Sequence, residues 1–248
     1  CTAAQANILA WGIGNYFGRP LRQGIHKDRR LFTVSDRGTA NTDPTRIGAS
    51  AARSPMHSDN GCLEPRAPCY IALLCVQAAA NGGESRLVSA RTLFDTIDRE
   101  RPDLRPLYFQ TYAFRSPKLH VWPSGEPVIY KPIFETRHGE LQVHYARVMI
   151  EPGMQIAGTP LNDNQREALD YFDSLLERED LVYQFQLSAG DMLLVNNLVM
   201  LHGREAFEPA SDQARILKRV WLRRRHWGAG DDPAALDLDE LRTDSPEH

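Results

Sequence analysis

Eight consecutive residues, Cys69-Tyr70-Ile71-Ala72-Leu73-Leu74-Cys75-Val76, offer no polar face. Successive side chains of a strand leave on opposite sides, so this run makes a strand only where both sides are covered, as at the centre of a sheet. Other segments of strand-like content surround it at 31–35, 108–114, 128–134, 141–150 and 216–222, divided by Pro and Gly turns. Segments 181–187 and 191–196 flank the tight Ala189-Gly190 connection and read as a hairpin.

Helical signals are fewer. Residues 4–11 read as the end of a helix, with Gly12 and Gly14 as stops. Ser89 is a good N-cap for 90–99, and Pro102-Asp103 opens a short helix reaching Phe109. The clearest helix is 165–178, capped by Asn162 or Asp163, whose stripe of Leu169, Phe172, Leu175 and Leu176 should pack on the outside of a sheet. Many short strands with a few peripheral helices imply a mainly β fold, a double-sheet Greek-key barrel. The expected organisation is one domain over 1–227 and an acidic tail over 228–248.

Chemistry concentrates in two distant stretches. His57 and Asp59 are two residues apart, so on an extended backbone both side chains leave one face and can share an ion. An isolated His-x-Asp is more often a polar loop pair capping nearby backbone. His202 completes a set of two imidazoles and one carboxylate that leaves positions of an octahedral ion open, the arrangement of non-haem iron(II) oxygenases. His144 and His120 are rivals, but His144 has no carboxylate two residues away and reads as pocket wall or core, while His120 sits in a Pro-flanked loop. In 213–222, Arg215, Leu217, Arg219 and Trp221 share one strand face. It either presents guanidinium forks to carboxylates or is a solvent-facing basic edge.

Taken together, His57-x-Asp59, Gly82-Gly83-Glu84-Ser85, the segment from Gly190 through Asn196-Asn197 to His202-Gly203-Arg204, and Arg215 with Arg219 resemble the taurine dioxygenase family of iron(II), 2-oxoglutarate-dependent oxygenases. The pattern is closest in look to the branch of clavaminate synthase and the amino-acid hydroxylases, and it spans roughly residues 50 to 223. The resemblance implies a double-stranded β-helix, or jelly roll, with iron held by His57, Asp59 and His202. It implies that Arg215 binds the distal carboxylate of 2-oxoglutarate with help from the Ser85 hydroxyl, and that Arg219 contacts an acidic group of the primary substrate. Asn60, Tyr145 and Arg147 are the expected polar wall beside that substrate. Because Asp59 is present, hydroxylation or another two-electron oxidation by dioxygen is favoured over halogenation. The expected substrate is a small molecule, free amino acid or carrier-bound aminoacyl group; the competing class is a non-catalytic barrel that binds a small acid or a metal.

Charge and composition narrow the alternatives. A net charge of -3 gives no global field for nucleic acid or an anionic membrane. Residues 228–248 hold seven acids against one base, leaving the rest at about +3. The cluster Arg223-Arg224-Arg225-His226 lacks an aromatic stacking platform, so it is expected to pair with the tail or face water and not nucleic acid. No run approaches the roughly 18 apolar residues that span a bilayer, and no basic-then-apolar leader is visible. Cys1, Cys62, Cys69 and Cys75 lack zinc-type spacing and read as reduced cytoplasmic thiols. The first residue is not Met, so a preceding portion is compatible with the sequence, as is a homo-oligomer. The stretch 36–54, rich in Gly, Thr, Asn, Asp and Ser, is expected to be a flexible loop before the metal pair, either a lid or an ordinary surface loop.

Overall fold

The two-faced apolar run becomes β4 (Tyr70–Gln77), paired antiparallel on one side with β11 (Met192–Asn196) and on the other with β13 (Ile216–Arg223). The computed structural model describes residues 2–23, 29–36, 50–61, 67–116, 126–137, 139–209 and 214–224. On one face of β4, Ala72 and Leu74 pack with Ala6, Ala10 and Trp11; on the other, Ile71 meets Val195 and Trp221. Both faces are therefore covered, as the sequence requires. β1 (Arg19–Leu21) and β2 (Leu31–Ser35) both pair with β13 and complete a five-stranded sheet.

The second sheet runs in the order β10 (Tyr183–Phe185), β5 (Ser85–Ser89), β12 (Met200–Arg204), β3 (Ser54–His57). All of these ladders are antiparallel, and the two sheets form the jelly roll with peripheral helices. Alternation along the small sheet sorts its residues. Met56, Val88 and Leu201 join an aromatic-rich cluster, while His57, Leu87 and His202, each adjacent to one of these on its strand, take the other face. Two further pairs, β6 (Thr111–Arg115) with β7 (Val128–Pro132) and β8 (Phe134–Arg137) with β9 (Glu140–Val143), extend that cluster.

Helix α1 (Ala3–Phe17) opens with a Thr2–Gln5 capping box and does not stop at Gly12 or Gly14. A Cβ added to Gly14 would lie 3.4 Å from Val220 and 3.5 Å from Leu222, so this glycine brings the helix close to β13. Burial of Ala6, Ala10 and Trp11 offsets the cost of about 1 kcal/mol for an interior glycine. Helix α2 (Ala90–Glu100) starts where expected, with the Thr92 N–H donating to Ser89 Oγ at 3.0 Å. Helix α3 (Arg105–Tyr108) begins three residues after Pro102, behind a turn.

Two expectations are corrected. The stretch 141–150 is not one strand: β9 ends at Val143 and helix α4 (Arg147–Ile156) follows. Ile150 and Met154, four apart, enter the core on one helical face, and Arg147 pairs with Glu151 at 2.7 Å across one turn. Nor are β10 and β11 a hairpin, since β10 pairs with β5 in one sheet and β11 with β4 in the other. The Ala189-Gly190 connection thus crosses between the sheets. Helix α5 (Asp163–Leu175), with its Asn162–Gln165 capping box, buries Leu169, Phe172 and Leu175 in the cluster that contains Met56, Val88 and Leu201. It thereby covers the outer side of the small sheet.

His144, the rival ligand, is fully buried in this core with Nε2 3.2 Å from Glu135 Oε2. Burial, reinforced by Lys131 and opposed by Glu135, pushes its pKa down from 6.5 to about 4. The unfolded chain therefore takes up this proton first as pH falls, and stability is lost between about pH 6.5 and 4, by up to ~3 kcal/mol. The melting temperature of His144→Asn should fall less steeply than wild type across that window; equal slopes would remove His144 from the acid response. His120, the tail over 228–248, Arg225, His226, Cys1, Cys62 and most of the expected loop (37–49) lie outside the described residues. Among the described residues no helix is long and apolar enough to cross a membrane.

Candidate metal centre

β3 and β12 place the two imidazoles side by side. His57 and His202 are register partners across the ladder, with ring centroids 4.5 Å apart. β3 ends at His57, and the following turn swings Asp59 back so that Oδ1 lies 3.2 Å from His57 Nε2. One ligand atom from each of His57, Asp59 and His202 falls within 4.8 Å of the others, the one such group of three among the described residues.

The local hydrogen bonds suit a cation at this point. His57 Nδ1 lies 2.8 Å from the Pro55 carbonyl, which can only accept, so Nδ1 carries the ring proton and Nε2 is left with a lone pair. That lone pair faces a carboxylate oxygen, and two acceptors at 3.2 Å need a positive charge between them, a proton or a metal ion. Burial opposes protonation of His57, but the hydrogen bond and charge of Asp59 outweigh it and raise the pKa. Burial, with His57 as a second cause, pushes His202 down to about 3, so its ring is neutral and ligand-ready. Its Nδ1 has no hydrogen-bond partner among the described residues, which leaves the ring without a competitor for an ion.

Asp59 is divided between two tasks. Oδ1 faces the imidazoles, while Oδ2 accepts from Trp221 Nε1 at 2.8 Å and Arg219 Nη1 at 3.1 Å. Burial pushes the carboxyl up, yet Arg219 and the two histidines hold it well below the usual carboxylate range. Arg219 is itself caged. Its Nε donates to Gln23 Oε1 at 2.9 Å, and its guanidinium stacks between Phe32 and Trp221, 5.3 and 4.9 Å from the ring centroids. Gln23 and the Trp221 donor are absent from the expected site. Trp221 shares strand parity with Arg219 and was legible in principle; Gln23, 196 residues from its partner, carries no local signal.

Arg215 stands immediately before β13 and is buried, with Nε 3.2 Å from where a Cβ on Gly83 would sit. Gly83 holds φ at +79°, a conformation that itself favours glycine. Arg215 lies over the Phe207 ring at 5.7 Å and makes no hydrogen bond or ion pair to another described residue. Burial pushes its pKa down to about 10, so it is still a cation at neutral pH. Arg204 stacks on the same ring at 4.6 Å and donates to the carbonyls of Ser50 and Ala52. Ser85 is buried at the start of β5, in register opposite Arg204.

The remaining expected residues are placed differently from one another. Asn60 lies in the metal turn with φ at +48°. Tyr145 and Arg147 send their polar ends to α5: the Tyr145 hydroxyl donates to Asp173, and Arg147 binds Asp173 at 3.1 Å and Asp170 at 2.7 Å there, besides Glu151 of its own helix at 2.7 Å. The cause is α4, which begins at Arg147 and breaks the strand alternation that would have aimed both at the site. Tyr145 still supports the metal turn through its backbone, which exchanges hydrogen bonds with Ser58.

This geometry has relatives. Residues 1–221 match the family described as Taurine catabolism dioxygenase TauD, TfdA family. The chain is 29% identical over 231 residues to FR-33289 synthase of Streptomyces rubellomurinus, covering 89% of this chain and 65% of that protein. It is 28% identical over 222 residues to the taurine hydroxylase-like protein SAT17 of Stachybotrys chartarum, covering 82% and 52%. The chain thus spans less than two thirds of the length of these relatives. In fold it is similar to asparagine oxygenase in complex with Fe(II), 3-hydroxyasparagine and succinate (TM-score 0.65, 18% identity, 83% of this chain and 60% of that one). The non-haem iron oxygenase OrfP in complex with Fe and alpha-ketoglutaric acid is similar too (TM-score 0.62, 16% identity, 83% and 60%). With the family match running over nearly all of the described residues, the chain belongs to the TauD/TfdA family.

Proposed function

We propose that the chain is an iron(II)- and 2-oxoglutarate-dependent oxygenase that hydroxylates an unactivated C–H bond of a small, amino-acid-like or carrier-bound substrate. The observation that carries this reading is the convergence of His57, Asp59 and His202 on one point, accompanied in the same barrel by a buried arginine, Arg215, that makes no hydrogen bond or ion pair to another described residue. Bound at the triad, iron(II) with 2-oxoglutarate supplies a two-electron oxidation in which one atom of dioxygen enters the substrate and the other enters succinate as carbon dioxide leaves.

The protein's own residues prepare that chemistry. His57, Asp59 and His202 would hold the ion through one ligand atom each, and a set of only three protein ligands would leave positions for cosubstrate and dioxygen. Trp221 and Arg219 hold Asp59 by its far oxygen, which keeps the near oxygen aimed at the ion. Arg215 offers a guanidinium fork to the distal carboxylate of 2-oxoglutarate, and the Ser85 hydroxyl is proposed as a further donor. Without that anion Arg215 is a buried charge lacking a counter-charge, so the cosubstrate binds where it relieves a desolvation cost.

For the primary substrate, Arg219 remains the strongest candidate contact. Nε and Nη1 are engaged, while Nη2 has no partner among the described residues and is free to meet a carboxylate. Asn60 is proposed beside it, whereas the ion pairs of Arg147 tie it to α5 and weaken its case. Relatives of the same fold bound to hydroxylated asparagine or hydroxylated arginine support an amino-acid substrate. The free thiols of Cys69 and Cys75 suit a reducing cytoplasm. A panel of free amino acids, their carrier-bound thioesters and small sulfonates, read by succinate formation, tests the class. Iron- and oxygen-dependent succinate well above the substrate-free rate is expected for a carboxylate-bearing member; uniform background across the panel would favour a binding protein.

A further inference from the structure

We infer that Asn197 is a positioning residue for the metal-ligating carboxylate, acting on the backbone of Asp59; the inference rests on the metal reading of the triad. Asn197 is fully buried just past β11, and its own N–H donates to the Cys69 carbonyl at 2.9 Å, which prolongs the ladder to β4 and fixes where the side chain starts. From there the carboxamide reaches the metal turn. Its Oδ1 accepts from Asp59 N at 2.8 Å, and its Nδ2 donates to Asp59 O at 2.9 Å and to Pro68 O at 3.0 Å. One side chain thus pairs with both backbone groups of the ligand residue, as a neighbouring strand would, at the point where β3 has ended and no ladder is left.

The turn needs such a hold. Asn60 occupies a left-handed conformation at φ +48°, which non-glycine residues adopt at a cost, and a Cβ on Gly61 would lie 2.5 Å from Ser58 Oγ. Ser58 is gripped from the other side by the Tyr145 backbone, with Ser58 N donating to Tyr145 O at 2.9 Å and Tyr145 N to Ser58 Oγ at 3.1 Å. With Oδ2 fixed by Trp221 and Arg219, the aim of Oδ1 depends on where the Asp59 peptide groups sit. Those peptide groups are what Asn197 holds.

Asparagine is the residue that this geometry demands, because it combines an acceptor with two donors on a short stem. Aspartate would keep the acceptor but set a carboxylate against the carbonyls of Asp59 and Pro68, and alanine would leave one N–H and two carbonyls without this partner. Its neighbour does a different job: Asn196 Oδ1 accepts from Leu198 N at 3.2 Å and only closes the local turn.

Co(II) titration of the metal-free full chain, followed by visible absorption, tests the role without relying on turnover. Asn197→Ala and Asn197→Asp are expected to bind Co(II) roughly 10- to 100-fold more weakly and with an altered spectrum. Leu169→Ala, which cuts a core side chain in α5, should lower the melting temperature yet keep wild-type affinity and spectrum. Wild-type Co(II) affinity and spectrum in a folded Asn197 variant, however low its melting temperature, would overturn the assignment. So would failure of both Asn197 variants to fold while Leu169→Ala folds, since the role would then be general to the core. A wild type that takes up no Co(II) would sink the metal reading itself, and this assignment with it, a result distinct from either.

Discussion

Asp59→Asn should weaken iron(II) binding by more than about 100-fold and abolish succinate formation, although it changes the shape of the side chain least. Removing partners outside the ligand set costs metal sites about 10- to 100-fold, so loss of a ligand sets that floor. The reason lies in the two donors on Oδ2. Trp221 Nε1–H and Arg219 Nη1–H both require an acceptor, so an amide at position 59 turns its single oxygen toward them. Its NH2 group then faces the imidazoles, where a lone pair is needed. Asp59→Ala leaves space in place of a wrong-way donor, so added formate should restore part of its metal affinity and none in Asp59→Asn. Anaerobic iron titration of both variants decides the matter, and wild-type affinity in Asp59→Asn would take Asp59 out of the ligand set.

Arg215→Lys should raise the 2-oxoglutarate concentration at half-saturation by about 10- to 100-fold, from the loss of a charge-assisted fork worth roughly 1.5–3 kcal/mol. Because Arg215 makes no hydrogen bond or ion pair to a described residue, the ligand-free protein should lose little stability in the same variant. Iron affinity should stay near wild type, since Arg215 lies against Gly83 and Phe207 and not against the triad. Calorimetric titration of 2-oxoglutarate into both proteins under anaerobic conditions checks the first point and thermal melts the second. An unchanged cosubstrate affinity would reassign Arg215 to the packing of Phe207.

The metal site was legible because His57 and Asp59 are two apart and so stay close, although the turn after β3 and not strand alternation brings Asp59 to His57, while His202 shows the same face through its register with His57. Strand β4 was legible for a local reason too, its buried residues occupying both parities. Pairing was harder. Segments 181–187 and 191–196 look like hairpin arms, but which strand each one meets depends on the distant β5 and β4, and nothing local distinguishes a hairpin from a crossover. The error at 141–150 has another origin: Val148, Met149 and Ile150 have strand-like content, and the helix they join is held by Ile150 and Met154 entering a core formed by remote aromatics. Gly14 misled because a glycine that stops a helix and one that lets it lie against a sheet are the same letter. Within the site, the three potential ligands and Arg219 could be read, but the remote side chains that hold them in place could not. Asn197 reaches Asp59 across 138 positions and Gln23 reaches Arg219 across 196.

That one ion and one cosubstrate share a single site is tested most directly by anaerobic calorimetry of 2-oxoglutarate with the metal-free and the iron(II)-loaded chain. One iron(II) per chain should bind first, and 2-oxoglutarate should then bind once per chain and at least about tenfold more tightly than to the metal-free protein, because it gains metal ligation in addition to Arg215. Retention of no iron(II), or equal 2-oxoglutarate affinity with and without it, would contradict the account.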